Sequence, residues 1–165
     1  MKIRNQGRGI VVNAKGEILF VKHRDEVPAS PGEPDRLEYW VPPGGGVDVD
    51  ETFEEAAVRE VLEETGIVID EVVRFMHTVE KPLRFGNEMR LMHAQYFLMR
   101  IHHDGAAASV RDPGEGIIDV RWWSDEEMAR SGEVFRPLGI EAMCVDALVE
   151  LGFVRRGLSY TEGKQ

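Results

Sequence analysis

The sequence predicts an α/β or α+β sandwich, one sheet covered by two or three helices and built as one domain. Three observations predict it. The chain has 165 residues and 42% of them are apolar, enough for one compact core and too few for two. Short apolar segments bounded by Gly, Pro and Asn recur along it, as strands do. Two capping-box signatures, Thr52 with Glu55 and Ser124 with Glu127, open helical patterns among those strands.

Taken in order, Gly9 to Asn13 and Glu17 to His23 read as strands around a turn at Ala14-Lys15-Gly16. Val27 to Asp35 carries Pro28, Pro31, Gly32 and Pro34 and reads as a loop. The short segment Leu37 to Val41 leads into Pro42-Pro43-Gly44-Gly45-Gly46, also read as a loop. A helix is predicted from about Phe53 to Glu64, capped by Thr52 and stopped by Gly66. Ile67 to Glu80 and Met89 to Ile101 read as strands, with Lys81 to Asn87 as the turn between them. His102 to Gly116 is a polar loop, Ile117 to Trp123 a strand, and Ser124 opens a brief helix. Pro137 begins an amphipathic helix to about Leu151, with Ile140, Cys144, Ala147, Leu148 and Leu151 at helical spacing. Residues 1–153 are expected to form the domain and 154–165 a flexible C-terminal tail.

Charge and cysteine content narrow the function. Twenty Lys and Arg stand against thirty Asp and Glu, a net charge of −10, which argues against a nucleic-acid backbone as partner. A small phosphorylated ligand is still compatible if divalent cations bridge the like charges. The lone Cys144 excludes an intrachain disulfide and sits in an apolar segment, as a small core residue would. The N-terminus lacks the apolar run of a signal peptide and no stretch is long enough to span a bilayer, so the expected setting is cytoplasmic and away from membranes.

The chemistry concentrates on the helix after the glycines. At 100° per residue Phe53, Ala57 and Val61 form one apolar stripe, and Glu60 and Glu64 fall beside it with Glu63 adjoining. Carboxylates at i, i+3 and i+4 repel one another and resist desolvation, which a structural helix gains nothing from. A hard cation such as Mg²⁺ resolves the conflict through oxygen ligation. Glu pairs at helical spacing are common on solvated helices, but the flanking residues change the balance. Gly44-Gly45-Gly46 supplies bare backbone that can approach a ligand closely, and the helix start that follows offers free N–H groups to an anion.

Gly45, five residues, Glu51, seven residues, then Arg59-Glu60-Val61-Leu62-Glu63-Glu64-Thr65-Gly66-Ile67 resembles the Nudix box at every specified position. The resemblance implies a Nudix-type α/β/α sandwich around a mixed sheet over nearly the whole chain. It also implies a hydrolase that cuts the phosphoanhydride bond of a nucleoside diphosphate derivative with Mg²⁺ (or Mn²⁺). Glu60, Glu63 and Glu64 would hold the metal, with Glu63 and Glu64 among the catalytic groups. Arg59 would pair with Glu51 to orient the helix, with Gly66 ending it. A carboxylate from the loop before the last strand would complete the site, Glu115 first and Asp119 second. Members without turnover usually lack box glutamates, all of which are present here. The isoprenoid isomerases of this fold commonly use a cysteine, for which Cys144 is poorly placed.

Substrate contacts are expected from Trp40 (with its neighbour Tyr39) just before the glycines, from Gly44 and Gly45, and from Arg24 and Arg84 toward phosphates. The five histidines lack ligand-like spacing, and Trp122 and Trp123 read as packing residues. Pro82, fifteen residues past the box, resembles a marker of members acting on ADP-ribose; a (deoxy)nucleoside triphosphate is the other leading substrate. Proteins of this family are often homodimers, which the resemblance adds as an expectation.

Overall fold

The computed structural model describes residues 1–25 and 38–155. It comprises β1 (Lys2–Val12), β2 (Ile18–Arg24), β3 (Glu38–Val41), β4 (Gly44–Gly46), α1 (Phe53–Thr65), β5 (Glu71–Phe85), β6 (Glu88–Arg100), β7 (Ile117–Trp123), α2 (Asp125–Ser131) and α3 (Ile140–Glu150). The predicted loop at Val27 to Asp35 and most of the predicted tail, 156–165, lie outside the described residues.

The sheet is mixed. β1 runs parallel to β6 from Lys2 opposite Arg90 to Val12 opposite Arg100, and β5 joins β6 as an antiparallel hairpin. β4 pairs antiparallel with β1 at Gln6, Gly7 and Arg8. β2 carries β3 and β7 as antiparallel partners and meets β1 where Val12 faces Ile18. Alternation along the central strands divides the core. Ile10, Val12, Ala94, Tyr96 and Leu98 pack with Ile140, Cys144 and Leu148 of α3, while Val11, Phe97 and Met99 pack with Ala57 and Val61 of α1. Both faces are thus covered, which is why β1, β2 and β6 each contain an unbroken apolar run. The arrangement is the α/β sandwich the sequence predicts.

Both capping boxes form. The Thr52 hydroxyl accepts from the Glu55 N–H at 3.0 Å, the Glu55 carboxylate accepts from the Thr52 N–H at 2.9 Å, and Ser124 and Glu127 repeat the exchange. Gly66 closes α1 with φ of 78°, a conformation costly for residues with a Cβ. Cys144 is buried in the α3 face of the core, as its apolar segment suggested. Among the described residues no helix is long and apolar enough to cross a membrane.

Four elements differ from the sequence reading. β1 starts at Lys2, not Gly9, because its polar half (Lys2, Arg4, Asn5, Gln6, Arg8) is held by the ladder to β6 rather than by apolar burial. Gly44–Gly46 is a strand, since backbone pairing to β1 outweighs the poor β-propensity of glycine. β5 begins at Glu71 rather than Ile67, and Lys81 to Phe85 continue it instead of turning, so the hairpin turn is only Gly86-Asn87. Pro82 is accommodated there because β5 is an edge strand of the sheet. α3 starts at Ile140, not Pro137, behind Gly139 as N-cap with φ of 85°.

Candidate active site

Helix α1 can lie directly on β1 because Gly7 has no side chain. A Cβ at that position would stand 2.1 Å from the Phe53 carbonyl oxygen and 2.9 Å from the Ala57 nitrogen, both backbone atoms that cannot swing aside. Arg59 then fixes the helix against the strand and loop before it. Its guanidinium donates to both oxygens of Glu51 at 2.7 and 2.9 Å and to the Gly46 carbonyl at 2.9 Å. The same group donates to Glu60 at 2.9 Å and to Glu63 at 2.8 Å, so one cation holds three carboxylates of the motif. This pairing keeps the Glu51 carboxyl far below the ordinary range, at about 2.

The other carboxylates are graded in burial. Glu64 is 6% exposed and accepts from the Gly44 N–H at 3.1 Å, which ties α1 to β4 a second time. Glu60 is half-buried; loss of water raises its proton affinity more than Arg59 lowers it. The Glu63 side chain is half exposed. The Glu60 carboxylate lies against Gly45, where an added Cβ would stand 2.7 Å from its carboxyl carbon and would push the carboxylate out of this contact. Among the described residues no group of three or more His, Cys, Asp or Glu is already arranged to hold a metal ion. The donor set nevertheless suits a hard cation in its chemistry: three carboxylates from one helix line one cleft beside bare glycine backbone, and the bond that Arg59 makes to each of Glu60 and Glu63 engages a single oxygen.

That cleft has a volume of about 530 Å³. α1 contributes Glu60, Glu63 and Glu64, and β4 contributes Gly44 to Gly46. β1 and β5 contribute Arg4, Arg8, Arg84 and Phe85. Arg8 is held by Gln6, at 3.1 and 3.2 Å, and by the Pro42 carbonyl at 2.8 Å. Arg4 lies over the Phe85 ring at 4.9 Å, and its buried Nε has no hydrogen-bond partner among the described residues. A smaller pocket of about 110 Å³ shares Arg8, His23, Tyr39, Leu83 and Met92 with the cleft.

Of the residues singled out from the sequence, Gly44, Gly45, Glu60, Glu63, Glu64 and Arg84 line the cleft. Glu51, Arg59 and Gly66 set the position of the helix. Trp40 does not line it. Its ring is 3% exposed in the core and its indole N–H donates to Glu133 at 2.9 Å, so strand alternation turns Tyr39 toward the cleft instead. Arg24 is exposed and spent on a forked ion pair with Glu38, and it is absent from the lining. Glu115 ends a 3-10 turn, Pro113–Glu115; its side chain is outside those described. Asp119 is exposed on β7 and is not among the cleft-lining residues, whereas Asp112, from the same loop as Glu115, does line it. Of the other lining residues, Tyr39 is expected from the sequence beside Trp40, whereas Arg4, Arg8 and His23 are not expected there to bind phosphate or metal. The signal for two of them was present: Arg4, Gln6 and Arg8 alternate at the period that puts strand residues on one face.

Known proteins resemble this chain at three levels. Over 57 residues it is 51% identical to a Bacillus subtilis (strain 168) protein provisionally named an 8-oxo-dGTP diphosphatase, covering 34% of this chain and 31% of that protein. Over 122 residues it is 31% identical to an m7GpppN-mRNA hydrolase of Danio rerio, covering 68% of this chain and 39% of that protein. The chain thus matches roughly a third of the length of these curated relatives. A crystal structure of a MutT protein from Methanosarcina mazei Go1 superposes with a TM-score of 0.61 at 22% identity, covering 92% of this chain and 96% of that one. The NUDIX domain family pattern matches residues 4–139, and the chain belongs to that family.

Proposed function

We propose that the cleft is the active site of a Mg²⁺-dependent pyrophosphohydrolase. Its substrate is a nucleoside diphosphate linked to another moiety, either a sugar nucleotide such as ADP-ribose or a (deoxy)nucleoside triphosphate. One observation carries the reading: carboxylates of α1 and arginines of β1 and β5 line the same cleft around a strand of three glycines. A site made only to bind a phosphate would gain nothing from three carboxylates, and one made only to bind metal would gain nothing from three arginines.

Glu60, Glu63 and Glu64 would hold the divalent cation, which in such sites neutralises phosphate oxygens and lowers the pKa of bound water. Arg4, Arg8 and Arg84 take the remaining negative charge of the phosphates and orient the chain of anhydride bonds. A carboxylate of the cluster, or Glu115, accepts the proton from the attacking water, and Arg59 keeps the cluster in register by binding Glu51, Glu60 and Glu63. In-line attack then separates a nucleoside monophosphate from the rest of the substrate. The names of the curated relatives, a diphosphatase and a cap hydrolase, support this class of bond.

The test is incubation of the purified chain with Mg²⁺ and a panel of ADP-ribose, sugar nucleotides, dinucleotides and (d)NTPs, with EDTA controls and chromatographic identification of products. Cleavage of one class that EDTA abolishes is expected. Silence across the panel with nucleotide binding retained would instead identify a ligand-binding module without turnover.

A further inference from the structure

Six carboxylates line the main cleft: Asp25, Asp48, Glu60, Glu63, Glu64 and Asp112. Five of them are already engaged. The Tyr39 hydroxyl donates to Asp25, Arg59 binds Glu60 and Glu63 and lies 3.5 Å from Asp48, and the Gly44 N–H donates to Glu64. Asp112 is half-buried and has neither a hydrogen bond nor an ion pair among the described residues. Its oxygens are open to a proton-bearing group that enters the cleft.

The segment that carries Asp112 is tied to α1. The Ser109 and Arg111 N–H groups donate to the Thr65 and Glu64 carbonyls at 3.1 and 3.2 Å. Both acceptors are carbonyls that the end of the helix leaves without a helical partner. Arg111 adds its side chain. A Cβ on Gly66 would stand 2.7 Å from its Nη2 and 2.8 Å from its Cζ and Nε, so the guanidinium lies across the bare glycine. The last turn of α1 has no basic residue of its own, and this cation stands where the end of a helix favours one. At the start of the segment the Trp122 indole N–H donates to the Gly105 carbonyl at 2.9 Å, beneath a ring that leaves no room for a Cβ. The loop is therefore fixed to the helix that bears Glu60, Glu63 and Glu64 directly before the residue that reaches the cleft.

Resting on the hydrolase reading, we infer that Asp112 is a further catalytic residue, the acceptor of the proton from the attacking water, and that Arg111, seated on Gly66, positions it. As the water oxygen forms its bond to phosphorus, one of its protons passes to an Asp112 oxygen. The anhydride P–O bond breaks, its electron pair leaves with the departing phosphate, and Asp112 then gives the proton to solvent. The α1 carboxylates, each already held by Arg59 or Gly44, are left for the cation. Gly66 then serves twice, as the left-handed end of α1 and as the seat of Arg111.

Steady-state kinetics on the best substrate of the panel, with Mn²⁺ affinity measured by calorimetry and the fold by circular dichroism, test both parts. Asp112→Asn should lower kcat by about a hundredfold or more, with KM and Mn²⁺ affinity within about twofold of wild type. Formate should restore part of the turnover of Asp112→Ala, since a small free carboxylate can take the missing base's place, and Glu115→Gln should stay within about threefold of wild type. Arg111→Ala should lower kcat about tenfold with KM little changed, and should cost nothing further when Asp112 is already asparagine. Near-wild-type kcat in Asp112→Asn, Mn²⁺ affinity falling in step with kcat, or a loss found in Glu115→Gln instead, overturns the role of Asp112. An equal loss from Arg111→Ala in both backgrounds overturns the role of Arg111. Any of these in an active wild-type enzyme leaves the hydrolase reading standing, whereas a wild-type chain that cleaves nothing on the panel sinks both.

Discussion

Arg59 is the residue on which the geometry of the cleft depends, because its one guanidinium binds Glu51, Glu60, Glu63 and the Gly46 carbonyl. Its partner Glu51 shows how such a bond responds to acid. The Glu51 carboxyl lies at about 2 in the folded chain against 4.5 for a free one, so the folded state holds this proton less tightly than the unfolded state. Its contribution to stability is therefore present above about pH 4.5 and is lost as pH falls toward 2. Thermal melts from pH 7 to pH 2 should show a steeper loss in the wild type than in Glu51→Gln, which lacks the titrating group; parallel curves would contradict the pairing. At this scale the sequence was informative where a side chain has one geometric option. Glu60, Glu63 and Glu64 share a helix flank, and their proximity to the glycines follows from the 13 residues between Gly46 and Glu60 folding into one cap, one turn and a half-buried helix. Trp40 and Tyr39 show the reverse. Which of two adjacent strand residues faces the cleft depends on register with β2, a tertiary fact.

Among the elements, α1 was legible because every signal for it is local: the Thr52–Glu55 box, the apolar stripe and Gly66. β4 and the polar half of β1 were not, since three glycines and an Arg-Asn-Gln run acquire strand structure only by pairing with chain far away in sequence. The same pairing sets up the α1–β1 contact, and Gly7 is where it is tightest. Gly7→Ala should push α1 off β1, lowering stability by about 2–4 kcal/mol, as overpacking against backbone does, and lowering turnover with it. Denaturant unfolding of the variant measures the first effect. A loss under about 0.5 kcal/mol, the range of an ordinary surface change, would show that the helix does not rest on this glycine.

The whole molecule gathers at one cleft residues that the chain keeps far apart: arginines at 4, 8 and 84, glycines at 44 to 46 and glutamates at 60, 63 and 64. Its net charge of −10 gave no hint of the arginine cluster, because composition averages over a surface and a site does not. The fold class and the acidic helix were readable from local pattern, whereas the basic lining and the smaller pocket beside it arise from strands β1, β2, β3, β5 and β6 meeting in space. The central claim is that the α1 carboxylates serve metal-dependent hydrolysis and not merely the fold. Glu64→Gln tests it most directly, since the glutamine amide oxygen can still accept from the Gly44 N–H while the charge is gone. Mg²⁺-dependent turnover of the best substrate should fall by about a hundredfold or more, with circular dichroism and melting temperature close to wild type. Undiminished Mg²⁺-dependent turnover in that variant would contradict the account.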